Sequence, residues 1–251
     1  MYISTTLLPV AMQADQPIPQ VAVVIDVLRA TSAATTAAAM GAKSITTCRE
    51  VAEAFDLAAQ MEPRPLLCGE RGCQPIDGFD LGNSPAEYAA DTVGRRDLIL
   101  TTTNGTRAIE MATAERMILG SFLNLAAVVD VVVELDRVQL ACAGTEGEVT
   151  AEDVLLAGAI IDGCLVKHAT VAMDDASTLA LQLWRSWFPN LHRSPSCDEL
   201  TSRLRESQGG RNLVRLGYEA DLERCAQIDQ YGVVLERQQV DPNRFMLLSN
   251  A

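Results

Sequence analysis

Leu98-Ile99-Leu100-Thr101-Thr102-Thr103-Asn104-Gly105-Thr106-Arg107-Ala108-Ile109-Glu110-Met111-Ala112 is the stretch whose reading decides the fold. It runs as an apolar strand, a turn of hydroxyls, an amide and a glycine, and then a helix. The residues Thr102, Thr103, Asn104, Gly105 and Thr106 set neutral donors at a helix start. Unpaired N–H groups and the helix dipole also point there, which suits an oxyanion such as phosphate. Arg107 adds a fork of donors for phosphate or carboxylate. The same pattern also fits an ordinary βα turn with a Thr or Asn cap.

Two further segments share this plan. They are VVIDVLRATSAATTAAA (23–39) and LACAGTEGEVTAEDVLLAGA (140–159), each an apolar run, a polar turn and an Ala-rich helix. If the three strands are parallel neighbours, their turns share the carboxyl edge where open α/β sheets bind ligands. Between them, KSITTC (43–48), PLLCGE (65–70) and ERMILGS (115–121) read as strands, with helices over 50–61 and 123–135. Ser84-Pro85-Ala86-Glu87 has the form of a helix start, with Ser84 as N-cap and Glu87 completing a capping box.

From about residue 172 the chain turns helical. Trp184, Trp187 and Phe188 are candidate core anchors, and ESQGGR (206–211) reads as a flexible loop. VVLER (233–237) and RFMLLS (244–249) read as closing strands, one at an edge. The expected fold is α/β: three layers, α/β/α, a largely parallel or mixed sheet, and a more helical C-terminal part. The expected division is one domain over 1–251, with two intimate lobes (about 1–170 and 171–251) as the alternative.

The chain has 251 residues and a formal net charge of −13. Such a surface repels nucleic acid and anionic membranes, so an anionic ligand needs a locally positive pocket. The seven cysteines lack zinc or CxxC spacing, which points to reduced thiols and a cytoplasmic protein. Neither a signal peptide nor a membrane-spanning run is read from the sequence.

Asp26 ends the first buried strand and is followed by Arg29, as a metal or nucleophile position would be; a capped turn with a neutralising arginine is the plainer reading. Cys68 to Pro85 is a glycine-rich loop with Glu70, a candidate Mg2+ ligand, and Arg71, a candidate anion clamp. Gly78, Gly82 and Asn83 would let backbone approach a ligand; the alternative is a loop held by its own hydrogen bonds. Asp153 is a weaker metal candidate, since acids in a first helical turn also complement the dipole. His168 and His192 fall outside these turns, which disfavours a Ser-His-Asp triad. A cysteine phosphatase needs an arginine about six residues beyond its cysteine, whereas Gln74 and Glu148 stand there beyond Cys68 and Cys142.

IDVLRATS (25–32), CGERGCQPIDGFDLGNSP (68–85), TTTNGTRA (101–108), CAGTEG (142–147) and DLERCAQID (221–229) together resemble the 2-phosphosulfolactate phosphatase (ComB) family. The resemblance implies Mg2+-dependent hydrolysis of (R)-2-phospho-3-sulfolactate to 3-sulfolactate and phosphate, a step on one route to coenzyme M. Another phosphorylated 2-hydroxy acid as substrate, or a non-catalytic phosphometabolite-binding protein, are the alternatives. In this reading Asp26 and Glu70 hold Mg2+, with Asp153 as a further candidate, and Arg29 stabilises the transferring group. Thr102 to Thr106 hold phosphoryl oxygens, and Arg71 or Arg107 grips the carboxylate or sulfonate. Asn83, Ser84 and Gly144 complete the substrate site. Asp26 is left open as ligand, base or nucleophile. The expected partner is a small anionic phosphorylated substrate, and a homodimer is the base-rate assembly.

Overall fold

The computed structural model describes residues 1–11, 18–168, 170–189 and 194–248. Its strands are β1 (Tyr2–Thr6), β2 (Val21–Ile25), β3 (Ser44–Thr47), β4 (Leu66–Arg71), β5 (Gln74–Pro75), β6 (Asp97–Thr101), β7 (Arg116–Gly120), β8 (Arg137–Cys142), β9 (Ala172–Met173), β10 (Leu235–Arg237) and β11 (Arg244–Leu247). The helices are α1 (Ala30–Ala39), α2 (Val51–Ala59), α3 (Ala90–Val93), α4 (Gly105–Met111), α5 (Leu125–Val132), α6 (Ala151–Lys167), α7 (Asp175–Trp187), α8 (Cys197–Glu206), α9 (Gln208–Arg215) and α10 (Ala220–Cys225). His192 lies outside the described residues.

The strands form one mixed sheet in the order β5-β4-β6-β3-β11-β10-β7-β2-β8-β1-β9, with helices on both sides. This is the expected three-layer α/β fold. Strand β2 shows why its sequence is apolar throughout. Val21, Val23 and Ile25 pack into one core cluster with α6 and α7, and Ala22 and Val24 into another with the alanines of α1. A strand covered on both faces has no solvent side to alternate with. Each such Val or Ile, fully buried, contributes about 1.5–3 kcal/mol. The small residues of α1 let it lie close on the sheet, and its positions 30–38 are all buried.

Two expectations about the sheet change. The closing strands lie at its centre: β11 pairs antiparallel with β3, and β10 pairs antiparallel with β7. Strand β6 is not a neighbour of β2 and β8; it lies between β4 and β3 in a separate parallel set. Three consecutive antiparallel pairings (β3–β11, β11–β10, β10–β7) reverse the strand sense between the sets. The sets therefore do not share one carboxyl edge. The ends of β2, β4, β6 and β8 instead converge on a cleft.

The C-terminal helices also differ from expectation. ESQGGR is not a loop: Ser207 caps α9 by accepting from the Gly210 N–H at 3.1 Å, and Gly209 and Gly210 are buried. A Cβ at Gly209 would overlap the Glu152 carboxylate, so the glycine provides close packing rather than flexibility. Trp184 is buried and stacks on Phe122 at 6.1 Å, whereas Trp187 and Phe188 are half-buried. At Ser84 the chain makes a short 3-10 turn, and Glu87 accepts from the Gly82 N–H instead of closing a capping box. Among the described residues no helix is long and apolar enough to cross a membrane.

Candidate active site

Asp26 follows the last residue of β2, where the chain turns into α1. The turn is held by hydroxyls. Thr31 Oγ1 donates to the Asp26 carbonyl at 2.8 Å, and Ser32 Oγ donates to the Val27 carbonyl at 2.8 Å. Asp26 Oδ1 accepts from the Ala30 N–H at 3.3 Å. The side chain is buried, and burial pushes its pKa up to about 7. The charges of Glu70 and Glu152 push the same way; the Ala30 N–H and Arg29 oppose them.

Glu70, near the end of β4, ties two loops together. Its Oε1 accepts from the Thr103 N–H at 2.7 Å, and its Oε2 from the Cys73 N–H at 2.6 Å. The Cys73 amide is presented by a tight β4–β5 turn in which Gly72 and Cys73 both have positive φ, 56° and 64°. That pair of angles is the type I′ hairpin geometry.

Arg29 is buried in an ion pair with Asp221 of α10 at 2.8 Å. It also donates to the Cys73 carbonyl at 3.2 Å and lies 4.3 Å from the centre of the Tyr218 ring. Asp221 in turn accepts from Ser84 Oγ at 2.7 Å. The Arg29 guanidinium thus ties the helical C-terminal part to the β2 and β4 loops.

The Thr102–Thr106 turn is largely self-satisfied. Thr102 Oγ1 accepts from the Thr106 N–H at 3.2 Å, and Thr106 Oγ1 donates to the Thr102 carbonyl at 2.6 Å. Gly105 lets the turn approach Asp26, since a Cβ there would lie 2.7 Å from Asp26 Oδ2. The β8 loop arrives from the other side, with Asn104 Oδ1 accepting from the Glu146 N–H at 3.2 Å.

These loops enclose an open cleft. Asp26, Arg29, Glu70, Asn83, Thr103 and Asn104 line it, as the sequence led one to expect of a shared site. Gly72, Cys73, Thr145 and Glu146 also face it, and α9 contributes Asn212, Arg215 and the adjoining Leu216. A larger cleft between α1 and α10 lacks any such pair of carboxylates.

The other candidates lie around the cleft. Thr102, Gly105 and Thr106 are buried behind its wall, and Ser84 stands behind Arg29 through Asp221. Arg71 is turned to the Glu70 and Arg49 carbonyls and to Thr101 Oγ1. Arg107 is exposed on α4, outside the lining. Asp153 braces two loops from below, one oxygen accepting from the Val27 N–H and the other from the Gly144 N–H, each at 2.9 Å. Burial, then the Glu152 and Asp26 charges, push the Asp153 carboxyl well above its usual range.

Sequence reasoning missed Arg215, Asn212 and Asp221, and read Glu152 no further than a first-turn acid beside Asp153. DLERCAQID held one signal, since Asp221 is its first residue; the others sit in ordinary helical patterns.

A hard cation can be tested against this donor set. Asp26 and Glu70 offer carboxylate oxygens to the cleft, and Asn83 Oδ1 is buried without a hydrogen-bond partner. Among the described residues no three His, Cys, Asp or Glu side chains converge as a closed metal cage. Two carboxylates and an amide oxygen at one cleft are the oxygen donors that a hard cation such as Mg2+ would take, with water and substrate completing the shell.

Comparison with known proteins identifies the family of the chain. The sequence model of the family described as 2-phosphosulpholactate phosphatase matches residues 7–239. A protein of Pseudothermotoga lettingae called probable 2-phosphosulfolactate phosphatase is 40% identical over 222 residues, covering 87% of this chain and 91% of its own. Proteins of the same name from Caldanaerobacter subterraneus and Prochlorococcus marinus are 39% and 37% identical, covering 84% and 86% of this chain and 85% and 88% of their own. The chain belongs to the 2-phosphosulfolactate phosphatase family.

Proposed function

We propose that this protein is a Mg2+-dependent phosphomonoesterase that hydrolyses (R)-2-phospho-3-sulfolactate to 3-sulfolactate and phosphate, the reaction type found on one route to coenzyme M. The carrying observation is the meeting of Asp26, Glu70 and Arg29 in one cleft of a chain that belongs to this family. One water is consumed, and the bond broken joins phosphorus to the substrate's 2-oxygen.

Asp26 and Glu70 would hold the cation, with Asn83 Oδ1 beside them. The cation would supply positive charge for the phosphoryl oxygens. Arg29, fixed by Asp221 and the Cys73 carbonyl, sets a guanidinium beside the two carboxylates and offsets charge on the transferring group. Thr103 and Asn104 bring a hydroxyl and an amide to the same wall. The backbone N–H of Thr103 is already taken by Glu70, so it positions the carboxylate rather than the phosphate. The free thiols of all seven cysteines accord with a reducing, cytoplasmic setting.

The test is phosphate release from 2-phosphosulfolactate, phospholactate and phosphoglycolate, with Mg2+ and with EDTA. Mg2+-dependent release that favours the sulfonate is the expected result. No release from any of the three would overturn the reading.

A further inference from the structure

The proposed substrate carries a phosphate on C2, flanked by a carboxylate at C1 and a sulfonate on C3. A strongly acidic protein needs a cation for those flanking oxyanions as well as for the phosphoryl group. Of the arginines singled out in the sequence, Arg71 is turned to backbone carbonyls and Arg107 lies outside the cleft. Arg29 lines the cleft, but Asp221, the Cys73 carbonyl and the Tyr218 ring hold it.

Arg215 is the other arginine of the lining. It stands at the end of α9, facing Asp26, Glu70 and Thr103 across the cleft. Its hydrogen-bond partner is neutral: Nη2 donates to Asn212 Oδ1 at 3.1 Å. No carboxylate pairs with it among the described residues, so its charge is uncompensated, unlike that of Arg29. Asn212 is buried and also accepts from Gln208 Nε2 at 3.2 Å, which steadies the oxygen that Arg215 leans on. The helix itself is fixed at its start by the Ser207 cap and by Gly209 against Glu152 and Leu28. Glu146 is the one carboxylate of the β8 loop that lines the cleft, and it forms no ion pair with Arg215.

We propose that Arg215, braced by Asn212, reads the substrate's oxyanion remote from phosphorus and so sets the enzyme's preference for dianionic acids over simple phosphate esters. This rests on the phosphatase reading above. An arginine without an ionic partner, on a rigid helix end at the mouth of the site, is free to fork onto a carboxylate or a sulfonate.

The experiment compares wild type, Arg215→Gln and Arg215→Lys in two assays. The first is turnover of 2-phosphosulfolactate, phospholactate and p-nitrophenyl phosphate. The second is calorimetric binding of 3-sulfolactate, which contains no phosphorus. Loss of a charge-assisted contact should raise KM for 2-phosphosulfolactate about 10- to 100-fold in Arg215→Gln. Turnover of p-nitrophenyl phosphate should stay close to wild type, Arg215→Lys should recover part of the loss, and 3-sulfolactate binding should weaken in parallel. A loss shared with phospholactate assigns the arginine to the carboxylate; a loss confined to the sulfonate substrate assigns it to the sulfonate. Equal losses on all three esters, or none on 2-phosphosulfolactate, would overturn the proposal. If wild type releases no phosphate, the phosphatase reading fails by itself. Arginine-dependent 3-sulfolactate binding would then still support the present inference, and binding that is absent or unaffected by Arg215→Gln would overturn it.

Discussion

Arg29 and Asp221, 192 positions apart, form an ion pair of 2.8 Å with side chains only 2% and 3% exposed. Asp221 also receives the Ser84 hydroxyl, and Arg29 also reaches the Cys73 carbonyl. This one contact joins the β2 loop, the β4–β5 turn, the Ser84 turn and α10. A charge that is buried and shared in this way cannot be removed singly without exposing its partner to an apolar interior.

Asp221→Ala should therefore destabilise the protein by about 3–5 kcal/mol, the usual cost of orphaning one member of a buried pair. Asp221→Asn keeps an oxygen for Arg29, and the Ser84 hydroxyl can turn to accept from the new NH2, so this variant should lose less. Urea unfolding of both variants checks the order. Equal stability of Asp221→Ala and wild type would remove the pair from the account.

Asp26 carries a pH signature in the metal-free protein. Its carboxyl is raised from 3.8 to about 7 by burial first, against the pull of the Ala30 N–H. The folded state thus keeps a proton that the unfolded chain releases. The stability this proton provides is complete below pH 3.8 and is lost as pH rises through 7. Asp26→Asn should be more stable than wild type in EDTA at pH 8.5, and the gap should shrink towards pH 5 at roughly 1.4 kcal/mol per unit below pH 7. The same variant should lose activity by several orders of magnitude. A pH-independent gap would contradict this.

Glu70 holds the Thr103 and Cys73 amides at once. In Glu70→Gln one terminal NH2 must face an N–H donor, leaving an amide unsatisfied at a cost of about 1–3 kcal/mol. The expected outcome is a lower melting temperature together with lost turnover. A variant with wild-type stability would mean the two loops are held by other contacts.

Gly209→Ala tests whether α9 must sit against the site. The added methyl would meet Glu152, and it would lie 3.4 Å from Leu28 Cβ. Overpacking of this kind costs about 1–3 kcal/mol. Activity should fall with stability, because α9 carries Asn212 and Arg215. By contrast, Arg107→Ala should leave kcat/KM within a few-fold of wild type, since its side chain is exposed outside the cleft.

Much of this was legible in the sequence. Val21–Ile25 and Asp97–Thr101 are buried strands, and buried strands of parallel sheets are unbroken apolar runs. Asp26 and Glu70 were visible because each stands at or near such a strand's carboxyl end. Other features were hidden for physical reasons. The central placement of β10 and β11 depends on pairing with strands more than 100 residues away, including Glu236 opposite Ile118 and Phe245 opposite Ile45. A Gly-Gly step looks flexible until the Glu152 carboxylate beside Gly209 and the Leu204 carbonyl beside Gly210 are known. Asp221, an acid in the first turn of a short helix, reads as a complement to the dipole until Arg29 is seen beside it.

The most direct measurement of the central claim is the rate of phosphate release from 2-phosphosulfolactate by wild type and Asp26→Ala, each with Mg2+ and with EDTA. The account expects turnover from wild type with Mg2+ alone, and a loss of several orders of magnitude in folded Asp26→Ala. Near-normal release by Asp26→Ala, or wild-type release undiminished by EDTA, would contradict a site in which Asp26 and Glu70 hold the cation.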